Sequence, residues 1–116
     1  MTALARIAVE RVGAVAVAAV DGEVDASNAA DVDGRLRALL DNRARALVVD
    51  LTAMRYLDSA GINLLFELGA ALRDRQQRLH LVVDPAGPIA RMLALSGLSA
   101  REATHPTRAA ALAAAA

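Results

Sequence analysis

The chain has 116 residues, of which 56% are hydrophobic and 22% charged, and thirteen basic side chains balance thirteen acidic ones. This length predicts one domain, which we place over residues 1–116, and the composition is too apolar for a disordered chain. Zero net charge and 2% aromatic residues exclude a global attraction to nucleic acid and a platform for stacking single-stranded bases. The absence of cysteine excludes disulfides, thiol nucleophiles and thiolate metal sites.

The sequence carries no pattern typical of a membrane span or an export signal. No apolar run approaches the roughly 18 residues that a membrane span needs. The opening segment MTALARIAVERVG contains one glutamate and two arginines, which does not fit a secretory signal. We therefore expect a cytoplasmic location, no membrane or direct nucleic-acid partner, and a monomer when the chain is free.

The start of the chain predicts a β-hairpin that ends in an acidic turn. Two short valine-rich segments, Arg6–Val12 and Ala14–Val20, are separated at Gly13, which is typical of two strands joined by a tight turn. Valine and alanine alternate in the second segment, so the valines should face one side of the sheet and the alanines the other. Asp21–Asp25 follows, and its three carboxylates within five residues favour a turn.

A helix and a buried strand are predicted next. Asp25 or Ser27 should cap the helix. Its apolar residues recur at three- and four-residue spacing: Ala29, Val32, Leu36, Leu39 and Leu40. The continuous apolar run Ala46–Leu51 predicts a central strand that is covered on both faces.

The second half of the chain continues the alternation of helices and strands. In order, we expect a loop with Arg55 and Tyr56, a helix from near Ser59, a strand at Leu79–Val83, and a helix from Pro88 that stops at Gly97. Arg101–Thr104 predicts a brief edge strand, and Thr107 should cap a last helix whose alanine tail, within 107–116, frays. The order β-β-α-β-α-β-α-(β)-α predicts an α/β fold: one mixed sheet with an N-terminal hairpin and about four helices.

The segment Leu57–Ile62 places a carboxylate and a hydroxyl where the second helix begins. Asp58 and Ser59 are both favoured N-cap residues, and Gly61 fits a packing role, so the pair has a simple structural explanation. The functional interpretation is that Ser59 is a phosphorylation site, since a phosphate there would meet free N–H groups and the positive end of a helix dipole. It would add about −1.5 to −2 charges, which could repel or block a docked partner without refolding.

Hydrolytic catalysis has little support in the sequence. A nucleophilic Ser59 would need a base, and the two histidines are His80, inside an apparent strand, and His105, just before a proline. Neither histidine has the context of a nucleophile elbow. We expect a solvent-facing strand histidine and a loop histidine, and no enzymatic activity.

Metal and cofactor sites have equally little support. Asp21, Glu23 and Asp25 alternate along an extended segment but lack the remaining ligands of a calcium loop. The phosphate-binding pattern GxxxxGK[ST] is missing from the sequence, so nothing local supports nucleotide binding. The arginines at the exit of the first helix match its dipole and are expected to be solvated. We therefore predict no cofactor and no bound metal.

Three motifs in order carry a family resemblance that covers nearly the whole chain: GEVD (Gly22–Asp25), VVDLTAMRYLDSAGINLL (Val48–Leu65) and RMLALSGL (Arg91–Leu98). Together they closely resemble the STAS domain of bacterial anti-sigma factor antagonists. The resemblance implies a small α/β domain that switches partners. In that family the unphosphorylated antagonist binds an anti-sigma factor, usually also a serine kinase, and so frees a sigma factor. The kinase phosphorylates the antagonist, and a metal-dependent serine phosphatase resets it.

Carried onto this chain, the resemblance makes Ser59 the phosphoacceptor, Asp58 the preceding aspartate, and Asp25 the aspartate near the site. Asn63 replaces a small or apolar residue of the family pattern, and Arg55 stands where uncharged residues are frequent. The expected partner surface combines the acidic turn, the start of the second helix and part of the third helix. Its residues are Asp21, Glu23, Asp25, Asp58, Ser59, Gly61, Ile62, Asn63, Arg91 and Met92.

A second function remains open within the same fold. A STAS protein can also be an accessory subunit that regulates a membrane transporter or a signalling scaffold. A serine at position 59, rather than a residue that cannot be phosphorylated, favours the sigma-factor pathway over this alternative.

Overall fold

A mixed sheet of six strands forms the centre of the computed structural model, which describes residues 4–41 and 43–116. The chain runs through β1 (Ala5–Val12), β2 (Val15–Val24), α1 (Ala29–Arg37), β3 (Ala46–Asp50), β4 (Met54–Leu57), α2 (Ser59–Asp74), β5 (Arg78–Val82), α3 (Pro88–Leu95), α4 (Leu98–Arg101), β6 (Ala103–His105) and α5 (Arg108–Ala115). The predicted α/β fold with an N-terminal hairpin is confirmed.

The strands lie in the order β1-β2-β3-β5-β6. β1 is antiparallel to β2, whereas β2, β3, β5 and β6 are mutually parallel. β4 pairs in parallel with the end of β2, beyond the part of β2 that pairs with β3. This second pairing begins at Gly22 and Met54, and its register shifts between Gly22 and Glu23. The carboxyl end of β2 is therefore tied to β4 and, through it, to the start of α2.

The two faces of the sheet bury different residues of β2. Ala16 and Ala18 face the larger core, which α1 to α4 cover, and Val15 and Val17 face the smaller core under α5. This confirms the predicted alternation. Small alanines on one face let the helices approach the sheet closely, and this face holds the fully buried leucines of α2.

α5 is anchored by an ion-pair network that spans its first turn. The Arg108 guanidinium donates to Asp50 Oδ2 at 2.9 Å and to Glu10 Oε1 at 2.8 Å. Burial raises the pKa of Asp50, but hydrogen bonds from Thr52 and Arg108 outweigh burial and hold it below its ordinary value. Ala111 is fully buried against the sheet. The alanine tail, expected to fray, is helical to Ala115 and packs there.

Several predicted element boundaries are wrong because tertiary pairing moved them. β2 continues to Val24, so most of the predicted turn Asp21–Asp25 is strand. The predicted loop around Arg55 and Tyr56 is β4. A four-residue strand with two exposed residues carries almost no hydrophobic pattern of its own. β4 forms because it pairs with β2.

Helix ends also differ from prediction at some positions. α1 begins after Asn28, not after Asp25 or Ser27, and ends at Arg37 before the two predicted leucines. The short α4 was not predicted, which raises the helix count from about four to five, and it delays β6 to Ala103–His105. The predicted stop at Gly97 is confirmed, because it adopts a left-handed φ of 84°.

The predicted N-cap of the last helix is confirmed as well. The Thr107 hydroxyl accepts a hydrogen bond from the Ala110 N–H at 3.1 Å. Within residues 4–41 and 43–116, no helix combines the length and the apolar character that crossing a bilayer requires.

Candidate functional site

Three elements meet where the predicted phosphorylation site lies. Glu23 and Val24 of β2 pair with Tyr56 and Leu57 of β4. The Asp58 N–H then donates to the Val24 carbonyl at 3.3 Å. The end of β2, the strand β4 and the first turn of α2 thus form one continuous surface, which we call the switch rim. These contacts bring the acidic GEVD segment next to the start of α2, as the sequence predicted.

The first turn of α2 is organised by the side chain of Asp58. Its Oδ1 accepts from the Ala60 N–H at 2.9 Å and from the Gly61 N–H at 3.2 Å. Its carbonyl accepts from the Ile62 N–H at 2.9 Å. Asp58 is therefore a helix N-cap. With these N–H groups already paired, a phosphate on Ser59 would not meet the row of free N–H groups that we expected.

Ser59 is the first residue of α2 and is exposed. Its hydroxyl makes no hydrogen bond to any residue in the described part of the chain. A hydroxyl at this position is open to a modifying enzyme, and adding a group to it would disturb no contact of the folded domain. The Asp58 cap and the buried residues Gly61 and Ile62 hold the first turn of this helix against the domain.

Two residues of the predicted partner surface lie inside the domain. Gly61 and Ile62 are buried. A Cβ on Gly61 would overlap the Leu57 side chain and lie 3.3 Å from Val24 Cγ1. The close approach of α2 to β2 and β4 thus requires a glycine here. These two residues act on a partner only through the position of the helix, whereas Asn63 is exposed on the same turn.

The acidic residues of the rim have different local roles. The Ser27 hydroxyl and N–H donate to Asp25 Oδ1 at 2.5 and 2.8 Å, and these hydrogen bonds lower the pKa of Asp25. The Asn28 amide closes the loop by donating to the Glu23 carbonyl at 2.9 Å. Asp21 lies 3.5 Å from the Arg55 guanidinium. The three acids alternate along the chain but do not converge on one point.

Tyr56 is a rim residue that the sequence analysis missed as a candidate. It is 48% exposed and lies on β4, directly across from Glu23. Tyrosine is one of the residue types that most often dominate the binding energy of protein interfaces. Tyr56 is the one tyrosine of the chain, which could have drawn attention to it. The predicted loop hid its position on a strand beside Glu23.

α3 lies beside β4 and extends the rim. The two elements contact one another. Arg91 is exposed on α3, whereas Met92 is half-buried and packs on the main core. Of the two predicted partner residues on this helix, Arg91 is therefore the more accessible to solvent.

The histidines lie away from Ser59 on the sheet. His80 is buried in β5, and its Nδ1 lies 3.0 Å from His105 Nε2 of β6. The expectation of a solvent-facing strand histidine and a loop histidine is wrong, because β6 pairs with β5 and places the two rings together. Neither ring contacts Ser59, so this geometry provides no base for a nucleophilic serine.

Comparison with known proteins agrees with this fold. The family model described as "Mlab, STAS domain" matches residues 7–104. An anti-sigma factor antagonist from Mycobacterium paratuberculosis is 29% identical, with 96% of this chain and 93% of that chain covered and a TM-score of 0.84. The antagonist SpoIIAA in its unphosphorylated form is 17% identical, with 92% and 93% covered and a TM-score of 0.74.

The phosphorylated form of the Bacillus cell fate determinant SpoIIAA is also similar in fold. It is 17% identical, with 94% of this chain and 98% of that chain covered and a TM-score of 0.69. No curated protein sequence matches the chain.

Proposed function

Because this chain belongs to the STAS domain family, we propose that it is an anti-sigma factor antagonist whose binding is switched at Ser59. The unphosphorylated form binds an anti-sigma factor that is also a serine kinase, and a sigma factor is released. Phosphorylation of Ser59 ends this binding, and a metal-dependent serine phosphatase restores it. The observation that carries the proposal is the exposed Ser59 hydroxyl, free of hydrogen bonds to the described residues, on a capped helix start.

The comparisons support the proposal at two levels. The Mycobacterium paratuberculosis protein, described as an anti-sigma factor antagonist, is similar over 96% of this chain at 29% identity. The SpoIIAA fold exists in both an unphosphorylated and a phosphorylated form. A phosphoryl group is therefore compatible with this type of domain.

The geometry of the rim indicates how a phosphate would act. Asp58 already occupies two N–H groups of the first turn, and Arg55 is next to Asp21. The rim carries the carboxylates of Glu23 and Asp58 on the segments before Ser59, and the one arginine of β4, Arg55, lies beside Asp21. A phosphate would therefore point outward, and burying its two charges under a partner without a matching cation would be unfavourable. The switch acts on the interface, while the fold stays the same.

The first test is to map phosphorylation after incubation of the full chain with ATP and a lysate of its own cells. We expect phosphate on Ser59 in the wild type and none in Ser59→Ala. Ser99→Ala is the matched control, because Ser99 is an exposed serine on another helix, α4. Phosphate on Ser99 alone, or unchanged labelling of Ser59→Ala, would contradict the assignment.

The second test measures binding to the kinase identified in that lysate. We expect Ser59→Ala to bind as tightly as the unphosphorylated wild type, and the phosphorylated protein to bind at least about tenfold more weakly, since uncompensated charge at an interface costs more than 1.4 kcal/mol. Ser59→Asp should weaken binding less, because one carboxylate imitates a phosphate poorly. Ser99→Asp adds the same charge on α4 and should leave affinity unchanged.

A negative labelling result would favour the second function. If a lysate that phosphorylates a control substrate leaves this chain unlabelled, Ser59 is a helix-start residue and no switch. The accessory-subunit role at a membrane transporter or signalling scaffold would then replace the proposal.

A further inference from the structure

A cavity of about 360 Å³ lies at the end of α2 that is remote from Ser59. It is bounded by the end of α2, the start of β5 and the junction of α4 with β6. Seven of its lining residues are polar or charged: Arg73, Gln76, Gln77, Arg78, His80, Arg101 and Glu102. Its volume lies within the range of small-molecule sites, roughly 300–1,000 Å³. Since α2 rises about 1.5 Å per residue, the cavity is about 20 Å from Ser59.

The charges around the cavity do not cancel. The carboxylate of Glu102 is buried and pairs with Arg73, whose Nη1 lies 2.7 Å from Oε1. Arg78 and Arg101 are exposed and have no carboxylate partner within residues 4–41 and 43–116. The Arg101 guanidinium is held over the Phe66 ring, 5.7 Å from its centroid. The charges of Arg73 and Glu102 cancel, so the lining residues keep the two positive charges of Arg78 and Arg101.

Two further lining residues have unused hydrogen-bonding capacity. Gln77 and His80 are 6% and 5% exposed. The Gln77 amide nitrogen donates to the carbonyls of Asp41 and Ala44 at 3.2 and 2.7 Å. Gln77 Oε1 and His80 Nε2 are buried without a partner in the part of the chain described. Both atoms lie below the accessible surface, and Gln77 Oε1 only accepts hydrogen bonds, so neither atom holds an anion in the cavity.

We propose that this cavity binds a small molecule that carries a dianionic oxyanion group, either a phosphate monoester or a dicarboxylate. Two free guanidinium groups match two negative charges, and the planar fork of arginine suits both phosphate and carboxylate oxygens. A monoanion would leave one arginine unmatched. The site is separate from the switch rim, so it does not depend on the proposed phosphorylation of Ser59.

The test is a titration of the full chain with inorganic phosphate, followed by amide chemical shifts in NMR spectra at constant ionic strength. We expect saturable shifts confined to residues 77–80 and 101–103. Succinate distinguishes the dicarboxylate source from the phosphate source, and acetate is the monoanion control. Binding of phosphate or of succinate more tightly than acetate supports the proposal. Shifts scattered over the surface, no saturable shift, or equal affinity for acetate would overturn it.

Variants test whether Arg78 and Arg101 hold the anion. The double variant Arg78→Gln/Arg101→Gln should weaken binding about a hundredfold, because each of the two removed charged hydrogen bonds contributes about a factor of ten. Arg35→Gln on α1 is the matched control, since Arg35 is also exposed and lacks an ion pair with the described residues. Unchanged affinity in the double variant, with its melting temperature preserved, would refute the site.

Discussion

Removal of the Asp58 side chain tests whether this residue acts as a helix cap. Asp58 Oδ1 accepts from the Ala60 and Gly61 N–H groups. Replacing an N-cap aspartate by alanine costs about 0.5–2 kcal/mol of stability. Because a negative charge at the helix start is lost as well, we expect a cost in the upper part of that range. We expect Asp58→Ala to lower the free energy of unfolding by about 1.5 kcal/mol. For 116 residues, this corresponds to a melting temperature about 6 °C lower.

The assay is urea unfolding, monitored by far-ultraviolet circular dichroism. The slope of the unfolding free energy against urea concentration should be the same for the variant and the wild type. Asp58→Asn keeps the acceptor oxygen and should lose less than about 0.5 kcal/mol. A loss as large for Asp58→Asn as for Asp58→Ala would refute the capping argument. So would a loss below about 0.5 kcal/mol for Asp58→Ala.

The same pair of variants separates capping from recognition. If Asp58 only positions α2, Asp58→Asn should bind the proposed anti-sigma partner like the wild type, since the first turn is kept. A partner that contacts the carboxylate directly would bind Asp58→Asn more weakly although its stability is nearly unchanged. Measuring both quantities on one protein preparation distinguishes the two roles.

Two further changes test the packing under the rim and the buried histidine. Gly61→Ala would push a methyl group into the buried Leu57 side chain and should destabilise the domain by about 1–3 kcal/mol. Gly34→Ala in α1 has open space and should stabilise it by up to about 1 kcal/mol; equal effects in urea unfolding would refute this contrast. Burial, and then the charges of His105 and Arg78, lower the pKa of His80. The His80 ring therefore binds a proton more readily in the unfolded chain than in the folded one, so the stability of the fold should rise with pH up to about 6.5. Urea unfolding of His80→Gln should show a weaker rise between about pH 5 and 7, and parallel curves for the two proteins would contradict the reasoning.

Local sequence patterns predicted the elements that are strongly amphipathic or continuously apolar. β3 and α2 were found because their buried residues repeat in the periods of a strand and a helix. Gly97 and Thr107 were identified because their roles at helix ends depend on backbone and side-chain chemistry close in sequence. Asp58 and Ser59 belong to the same class, since a cap and the residue after it are local features.

Features that form between two segments far apart along the chain were not predicted from the sequence. β4 forms because it pairs with the end of β2. Its own sequence lacks a strand pattern, and the segment with Tyr56 was therefore predicted to be a loop. The contact between His80 and His105 depends on the register of β5 against β6, which brings together residues 25 positions apart. The anchoring of α5 by Arg108 depends on Asp50, 58 positions earlier.

The sequence by itself determined the α/β class, the order of the main elements and the place of Ser59 at a helix start, because hydrophobic period and capping chemistry act within a few residues. Only the tertiary structure decided which surface surrounds that serine and which groups remain free there. It showed that Asp58 uses the N–H groups of the first turn and that Gly61 and Ile62 are buried. It also assembled the arginine-lined cavity from four elements, α2, β5, α4 and β6. Such properties follow from register, packing distance and burial, which are set by contacts between segments that are far apart along the chain.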